Sequence, residues 1–277
     1  MTHPQVEQAA RNNAIWCDTI CRTHRVPGEF HDFLWLNRHQ VPRFYPNAVT
    51  LSKTHGVTEQ LRHIQALMAE KIPGGFAVKD SFCRLDLAPL DFRLLFEAVW
   101  LWRPASLSTP ERAIAGMRWV IVKEAPELTR WEAAWNGLPA AEPSALPARI
   151  FLPTLLDNKA IVFIAAYQDE QIVAGAIANR TEEVVGLSNV FVLKNDAPRF
   201  WAGCVTAALK VFPGLPLVTY GSGSELEIAL TLGFEEWESL RVWVRQEQFS
   251  AAQRLGQFHT YNKFSWRKHG FTQMDVP

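Results

Sequence analysis

The chain has 277 residues with 28 basic and 28 acidic side chains, and 48% of it is hydrophobic, a balance that argues against a basic nucleic-acid surface. No apolar run approaches the roughly 18 residues a membrane span needs, and the opening MTHPQVEQ lacks the charged and apolar regions of a signal peptide. Four cysteines are too few for a disulfide framework in a chain of this length, so reduced thiols in a cytoplasm are expected.

In chain order, Val6, Ala10, Cys17, Ile20 and Cys21 recur at helical spacing, which predicts an amphipathic helix over residues 5–24, before Pro27-Gly28. Cys17, Cys21 and His24 share a face of it, but no second Cys or His pair follows to complete a metal site, so they read as small packed side chains. Residues 33–37 and 44–51 read as strands, the second with Pro46 marking an edge or bulge. Val57, Leu61, Ile64, Leu67 and Met68 predict a helix, and short strands are expected at 76–78 and 99–102. The stretch 103–110, rich in Pro and Ser, is the linker. Beyond it come a strand at 117–122, a helix at 127–135, a loop at 137–149, and strands at 161–167, 171–178 and 184–193. The turns between these last three are short and polar, which makes them an antiparallel meander. A helix from about 198, a strand at 215–220, a helix closing on Gly233-Phe234 and a strand at 240–245 complete the order.

The sequence also repeats. A shift of 142 positions, with no gap, lays Asn37-Arg38 on Asn179-Arg180, Asn47 on Asn189, Leu51 on Leu193, Ala66-Leu67 on Ala208-Leu209, Leu90 on Leu232, Phe92 on Phe234 and Arg103 on Arg245. These nine identities are about twice the number expected by chance, and expected helices and strands coincide under the same shift. The chain therefore reads as two copies of one module: residues 1–104, a linker at 105–114, residues 115–247, and a C-terminal tail at 248–277 whose Phe258, Tyr261, Phe264 and Trp266 should pack on the body or on a second subunit, an arrangement that allows a homodimer.

The second copy resembles the GNAT family, the GCN5-related N-acetyltransferases, through the strand and helix at 117–135, the meander at 161–193, the helix from 198, the strand at 215–220, the helix ending in Leu232-Gly233-Phe234 and the closing strand. The first copy is then a degenerate module of the same kind. The resemblance implies an α/β (α+β) fold with a mixed, mainly antiparallel sheet flanked by helices, as in acyl-CoA N-acyltransferases. It implies acetyl-CoA or another acyl-CoA as co-substrate, with a small-molecule or peptide amine as acceptor.

In that family the loop entering the helix after the fourth strand holds the cofactor pyrophosphate on its amides. Arg199-Phe200-Trp201-Ala202-Gly203-Cys204 occupies that place here. Arg199 matches, Ala202 and Cys204 stand where small glycines are usual, Gly203 is one position out of phase, and Asp196 precedes the helix as its cap. Val190, Phe191 and Val192 would supply strand amides that polarise the thioester carbonyl. The family's frequent Tyr, four residues before the Gly of Gly-Phe, is Ala229 here, which leaves Tyr220 at the end of the fifth strand as candidate acid. Glu225 or Glu183 is the candidate base, although Ser224 as N-cap with Glu227 would make Glu225 an ordinary first-turn carboxylate.

Gly221-Ser222-Gly223-Ser224 lacks the Lys of a P-loop and the spacing of a hydrolase elbow. The alternative to acyl transfer is a ligand-binding or assembly protein in which both copies have lost catalysis.

Overall fold

The computed structural model of the protein describes residues 4–54, 56–70, 72–110, 117–138 and 148–245. Its first half contains α1 (Pro4–Thr23), β1 (Glu29–Phe30), β2 (Leu34–Leu36), β3 (Ala48–Thr50), α2 (Val57–Ala69), β4 (Phe76–Asp80) and β5 (Arg93–Arg103). The second contains β6 (Arg118–Ile121), α3 (Ala125–Trp135), β7 (Ile161–Gln168), β8 (Gln171–Arg180), β9 (Val185–Val192), α4 (Ala197–Val211), β10 (Leu217–Gly221), α5 (Gly223–Thr231) and β11 (Glu235–Arg245). The tail at 248–277, most of the loop at 137–149 and the end of the linker lie outside the described residues.

The 142-residue offset carries α2 onto residues 199–211 of α4, β4 onto 218–222 and β5 onto β11. The strands form one eleven-stranded sheet in the order β1-β2-β3-β4-β11-β5-β10-β9-β8-β7-β6. In this order β5, from the first half, lies between β10 and β11, and β11, from the second half, lies between β4 and β5. Each module thus lends its last strand to the other.

Both faces of the sheet are covered, which is why so many of its strands are apolar on both sides. On one face α4 and α5 pack Trp201, Val205, Ala208 and Ala229 against Ile164, Leu187 and Leu217, and α2 packs Ile64 and Leu67 against Leu36, Val78 and Trp243. On the other face α3 sets Leu128 and Trp131 against Phe163 and Phe191. There α1 serves both modules. Its Val6, Ala9 and Ala10 cover Ala98, Trp100, Val218 and Leu240, its Cys17 and Cys21 meet Trp35 and Val49, and its Trp16 and Ile20 join the α3 core. Full burial of side chains as large as Trp131 and Phe163 contributes about 1.5–3 kcal/mol each.

The last strand of each module is longer than its apolar pattern suggests. β5 and β11 run eleven residues, because each pairs with the other along nearly its whole length, from Arg93 opposite Val244 to Trp102 opposite Glu235, which extends both strands into partly exposed residues that an apolar pattern does not mark. β3 begins after Pro46, whose missing N–H cannot join a ladder. Arg103 belongs to β5, and its guanidinium donates to the carbonyls of Leu232 and Ser108, tying the start of the linker back to the end of α5. The helix α5 starts at Gly223 with Ser222 as N-cap and no side-chain capping bond. Ser224, expected as the cap, therefore lies inside the helix: with Gly223 at positive φ (54°), the helix begins two residues earlier.

Candidate functional site

The parallel strands β9 and β10 pair at two positions, Val185 with Leu217 and Gly186 with Val218, and then part. Sequence and register explain the parting. Between Ser188 and Phe191, β9 carries one more residue than the opposing stretch of β8 from Ile177 to Gly175, and Asn189 sits at φ 52°. An extra residue in a positive-φ conformation is a β-bulge, which bends its strand. Past the bulge, the Leu193 amide donates to the Val173 carbonyl at 2.8 Å. By strand alternation the Val192 amide then points the opposite way, toward the side from which β10 has withdrawn.

The side chains of this stretch are committed to packing. Val190 is buried against α4, whereas Phe191 stacks edge-on to Trp131 at 5.2 Å and 81°. Gly175 lies beside that pair, where a methyl group would stand 2.6 Å from the Trp131 indole nitrogen and 2.7 Å from the Phe191 ring. Where the two strands begin to part, α1 is pinned to the sheet. Asn12 and Asn179 exchange bonds from Asn12 Nδ2 to the Asn179 carbonyl and from Asn179 Nδ2 to Asn12 Oδ1, both 3.0 Å. Gly186 leaves the space for that contact, since a methyl group there would stand 2.1 Å from Asn12 Oδ1.

The first module lacks this parting. β3 and β4 pair through Ala48 with Val78 and Val49 with Lys79, and the Asn47 amide donates to the Ala77 carbonyl at 2.8 Å. Under the offset these are the levels of residues 189–191 and 219–221, where the second module is open. Among the described residues, β9 and β10 are thus the parallel pair that parts at this level.

Past β9, α4 begins at Ala197 with Asp196 as N-cap in the left-handed region (φ 79°) and without a side-chain capping bond. A helix leaves its first amides unpaired, but Pro198 has none and the Arg199 amide is taken by the Asp196 carbonyl at 3.1 Å. The Arg199 side chain pairs with the Asp196 carboxylate at 3.1 Å, both groups well exposed. Ala202, Gly203 and Cys204 lie in the second turn, where the helix's own carbonyls engage the amides. Ala202 and Cys204 are buried, and burial pushes the Cys204 thiol pKa up. Gly203 serves a neighbour, since a methyl group on it would stand 1.9 Å from the Trp119 ring on β6.

Tyr220 and Glu225 are not brought together. Tyr220 points to the α1 face, where its ring meets Trp100 edge-on at 5.5 Å. Glu225 is half-buried in the first turn of α5, a helix that packs on the opposite face. Ala229 is buried between α5 and α4. Glu183 precedes β9 and lines an open cleft of about 390 Å³ with Glu7, Gln8, Arg11, Asp32 and Ser52. That cleft is at the end of β9 away from the bulge.

Sequence reasoning missed one residue. Lys79 of β4 is 5% exposed, and its ammonium donates to Asn13 Oδ1 at 2.9 Å and to the Tyr220 hydroxyl at 3.1 Å. The available signal was a lysine between Val78 and Asp80 in a strand whose other residues are largely buried.

No protein-family model matches the chain, and no curated protein matches it. Solved structures do. A GCN5-related N-acetyltransferase from Kribbella flavida is similar over 88% of this chain and 98% of its own, at 17% identity and a TM-score of 0.58. A GCN5-related N-acetyltransferase from Sphaerobacter thermophilus is similar over 72% and 71%, at 11% identity and 0.51. A tandem GNAT protein from the clavulanic acid biosynthesis pathway is similar over 78% and 79%, at 15% identity and 0.50. These likenesses show the fold: a mixed, mainly antiparallel sheet flanked by helices, built as two GNAT-like modules.

Proposed function

We propose that this chain, a tandem of two modules with the fold of GCN5-related N-acetyltransferases, is an acyl-CoA-dependent N-acyltransferase whose second module does the chemistry. The observation that carries this reading is the parting of β9 from β10 beyond Gly186 and Val218, with the bulge at Asn189. A parted parallel pair presents backbone amides to a ligand without a neighbouring strand to compete for them. The first module, paired shut at the same level, serves as scaffold and as one wall.

Acetyl-CoA would supply an activated acyl group as a thioester. The amides of Val192 and Val190 would donate to its carbonyl oxygen as negative charge develops there, while the Phe191 amide, by the same alternation, turns toward β8 and would hold the strand in place. The acceptor amine forms the new C–N bond and its nitrogen gives up one proton to solvent, the C–S bond breaks, and the departing thiolate takes a proton, for which Tyr220, reprotonated from solvent, is the candidate donor. Arg199 and the Ala197 amide at the start of α4 would meet the cofactor phosphates. Ala202, Gly203 and Cys204 would act by keeping the helix close to the sheet. Glu225 keeps the role of a first-turn carboxylate on α5. The four free cysteines support a reducing, cytoplasmic setting.

Titration calorimetry with acetyl-CoA, followed by thiol release over a panel of amines, tests the reading. Binding in the micromolar range, weakened at least tenfold in Arg199→Glu, is expected. A fall of about 10²-fold in kcat for Tyr220→Phe is expected if Tyr220 is the acid. Absence of heat on titration would sink the acyltransferase reading. Binding without turnover on any amine would favour the second reading, a ligand-binding protein, for which the carboxylate of Asp196 at the phosphate end is the supporting observation.

A further inference from the structure

Lys79 reaches over the sheet from the first module and Tyr220 from the second, and they meet beneath α1 at Asn13. The ammonium also lies 4.2 Å from the centre of the Tyr220 ring. Its partners are therefore an amide oxygen, a hydroxyl and a ring face, all neutral. Among the described residues no carboxylate stands within ion-pair distance of it. The nearby Asp18 carboxylate is already occupied by Arg22, the Gly28 amide and the Trp35 indole. Burial pushes Tyr45 well above its usual range and Cys17 up to about 11, so neither supplies a negative charge near neutral pH. A buried ammonium without a counter-ion is costly, and proteins ordinarily pair it.

Asn13, next to the buried Asn12 and Ala14 on α1, is only half-buried, as is Tyr220, so the two side chains that hold the ammonium keep part of their surface in contact with solvent. The cluster also adjoins the parting of the strands. Gly186 stands opposite Val218, so Tyr220 is level with Ser188, one residue before the bulge.

We propose that the cluster beneath α1 binds the carboxylate of the acceptor through Lys79 and Asn13, beside the Tyr220 hydroxyl, so that the acceptor is a small molecule bearing both an amine and a carboxylate. The inference rests on the acyl-transfer reading for the amine and on the lone buried ammonium for the carboxylate. An anion at Lys79 could also come from the phosphates of the cofactor. Its location on the α1 face, opposite the face on which α4 packs, favours the acceptor.

The test uses the full-length protein with amino acids and ω-amino acids, each paired with its own carboxamide, read by calorimetry with and without saturating acetyl-CoA. At least one acid should bind ten or more times more tightly than its amide, and Lys79→Met should erase that difference while leaving acetyl-CoA affinity within twofold. Lys79→Arg, which keeps the charge, should retain part of the preference and guards against a variant that fails to fold. No preference for acid over amide across the panel would overturn the inference, as would a preference that persists in Lys79→Met. A tenfold loss of acetyl-CoA affinity in Lys79→Met would assign the anion to the cofactor and overturn it too. Failure of acetyl-CoA to bind at all would remove the acyltransferase reading but leave the acid-over-amide comparison to decide the anion site.

Discussion

Ala98 and Leu240 face each other across β5 and β11, and they are also the same position of the two modules, since the 142-residue offset carries one onto the other. The flanking pairs agree: Glu97 lies opposite Arg241 and Val99 opposite Ser239, each pair the image of the other under the offset. A local two-fold therefore passes through the Ala98–Leu240 pair, and the two modules share their closing strands around it.

Exchange of the closing strands should make the modules inseparable. Residues 115–277 produced alone lack β5, which would leave β10 and β11 as unpaired edges. The fragment is expected to aggregate or to show no cooperative melt by circular dichroism, whereas co-production with residues 1–110 should restore a soluble complex. A fragment that folds alone with a sharp transition would show that the exchange is not required.

Gly203 is fitted to Trp119. Gly203→Ala should destabilise the protein by about 1–3 kcal/mol, because a methyl group there must displace an indole ring in a packed core. Truncating the ring as well, in Trp119→Leu with Gly203→Ala, should cost less than the sum of the single changes. Equal and additive losses in thermal melts would mean that the two residues do not meet.

Asp196 holds a backbone conformation that favours glycine and sets a carboxylate at the start of α4. Asp196→Gly should relieve the strain and remove a negative charge from the helix end. Acetyl-CoA is then expected to bind about two- to fivefold more tightly, the range that a helix-terminal charge of about 0.3–1 kcal/mol allows. Weaker binding by calorimetry would mean that the phosphates do not approach this helix end.

Alkaline pH should weaken the fold through α1. Burial raises the thiol of Cys17 from 9.0 to about 11 and that of Cys21 from 9.0 to about 12. In the unfolded chain both ionise near 9.0, so above that pH the folded state holds protons that the unfolded state has released, and stability falls as pH rises toward 11 and 12. Each unit of difference corresponds to about 1.4 kcal/mol. The melting temperature of Cys17→Ala with Cys21→Ala should start lower at pH 8 and decline less steeply from pH 9 to 11. Parallel declines for both proteins would assign the alkaline loss to other groups.

Much of the architecture is legible in local pattern. The spacing of Val57, Ile64 and Leu67 marks α2, the polar turns at 168–170 and 179–182 mark the meander, and the unbroken offset from Asn37 to Arg103 marks the repeat. The candidate site is less so. Gly203 looked like a displaced loop glycine because a sequence does not show that Trp119, more than eighty positions earlier, needs its surface. Ser224 looked like a cap because it precedes Glu227 at the right spacing, whereas the helix starts at Gly223, at positive φ, with Ser222 as its cap.

The sequence by itself determined which segments become helices and strands and that they come in two related sets, because periodicity, turn residues and self-similarity are carried along the chain. The tertiary structure decided how the sets combine. That β5 and β11 trade places, that β9 leaves β10 while β3 stays with β4, and that Lys79 meets Tyr220 under Asn13 all rest on contacts between residues far apart in the chain. Such contacts are selected by the packing of whole faces against each other, which no local pattern encodes.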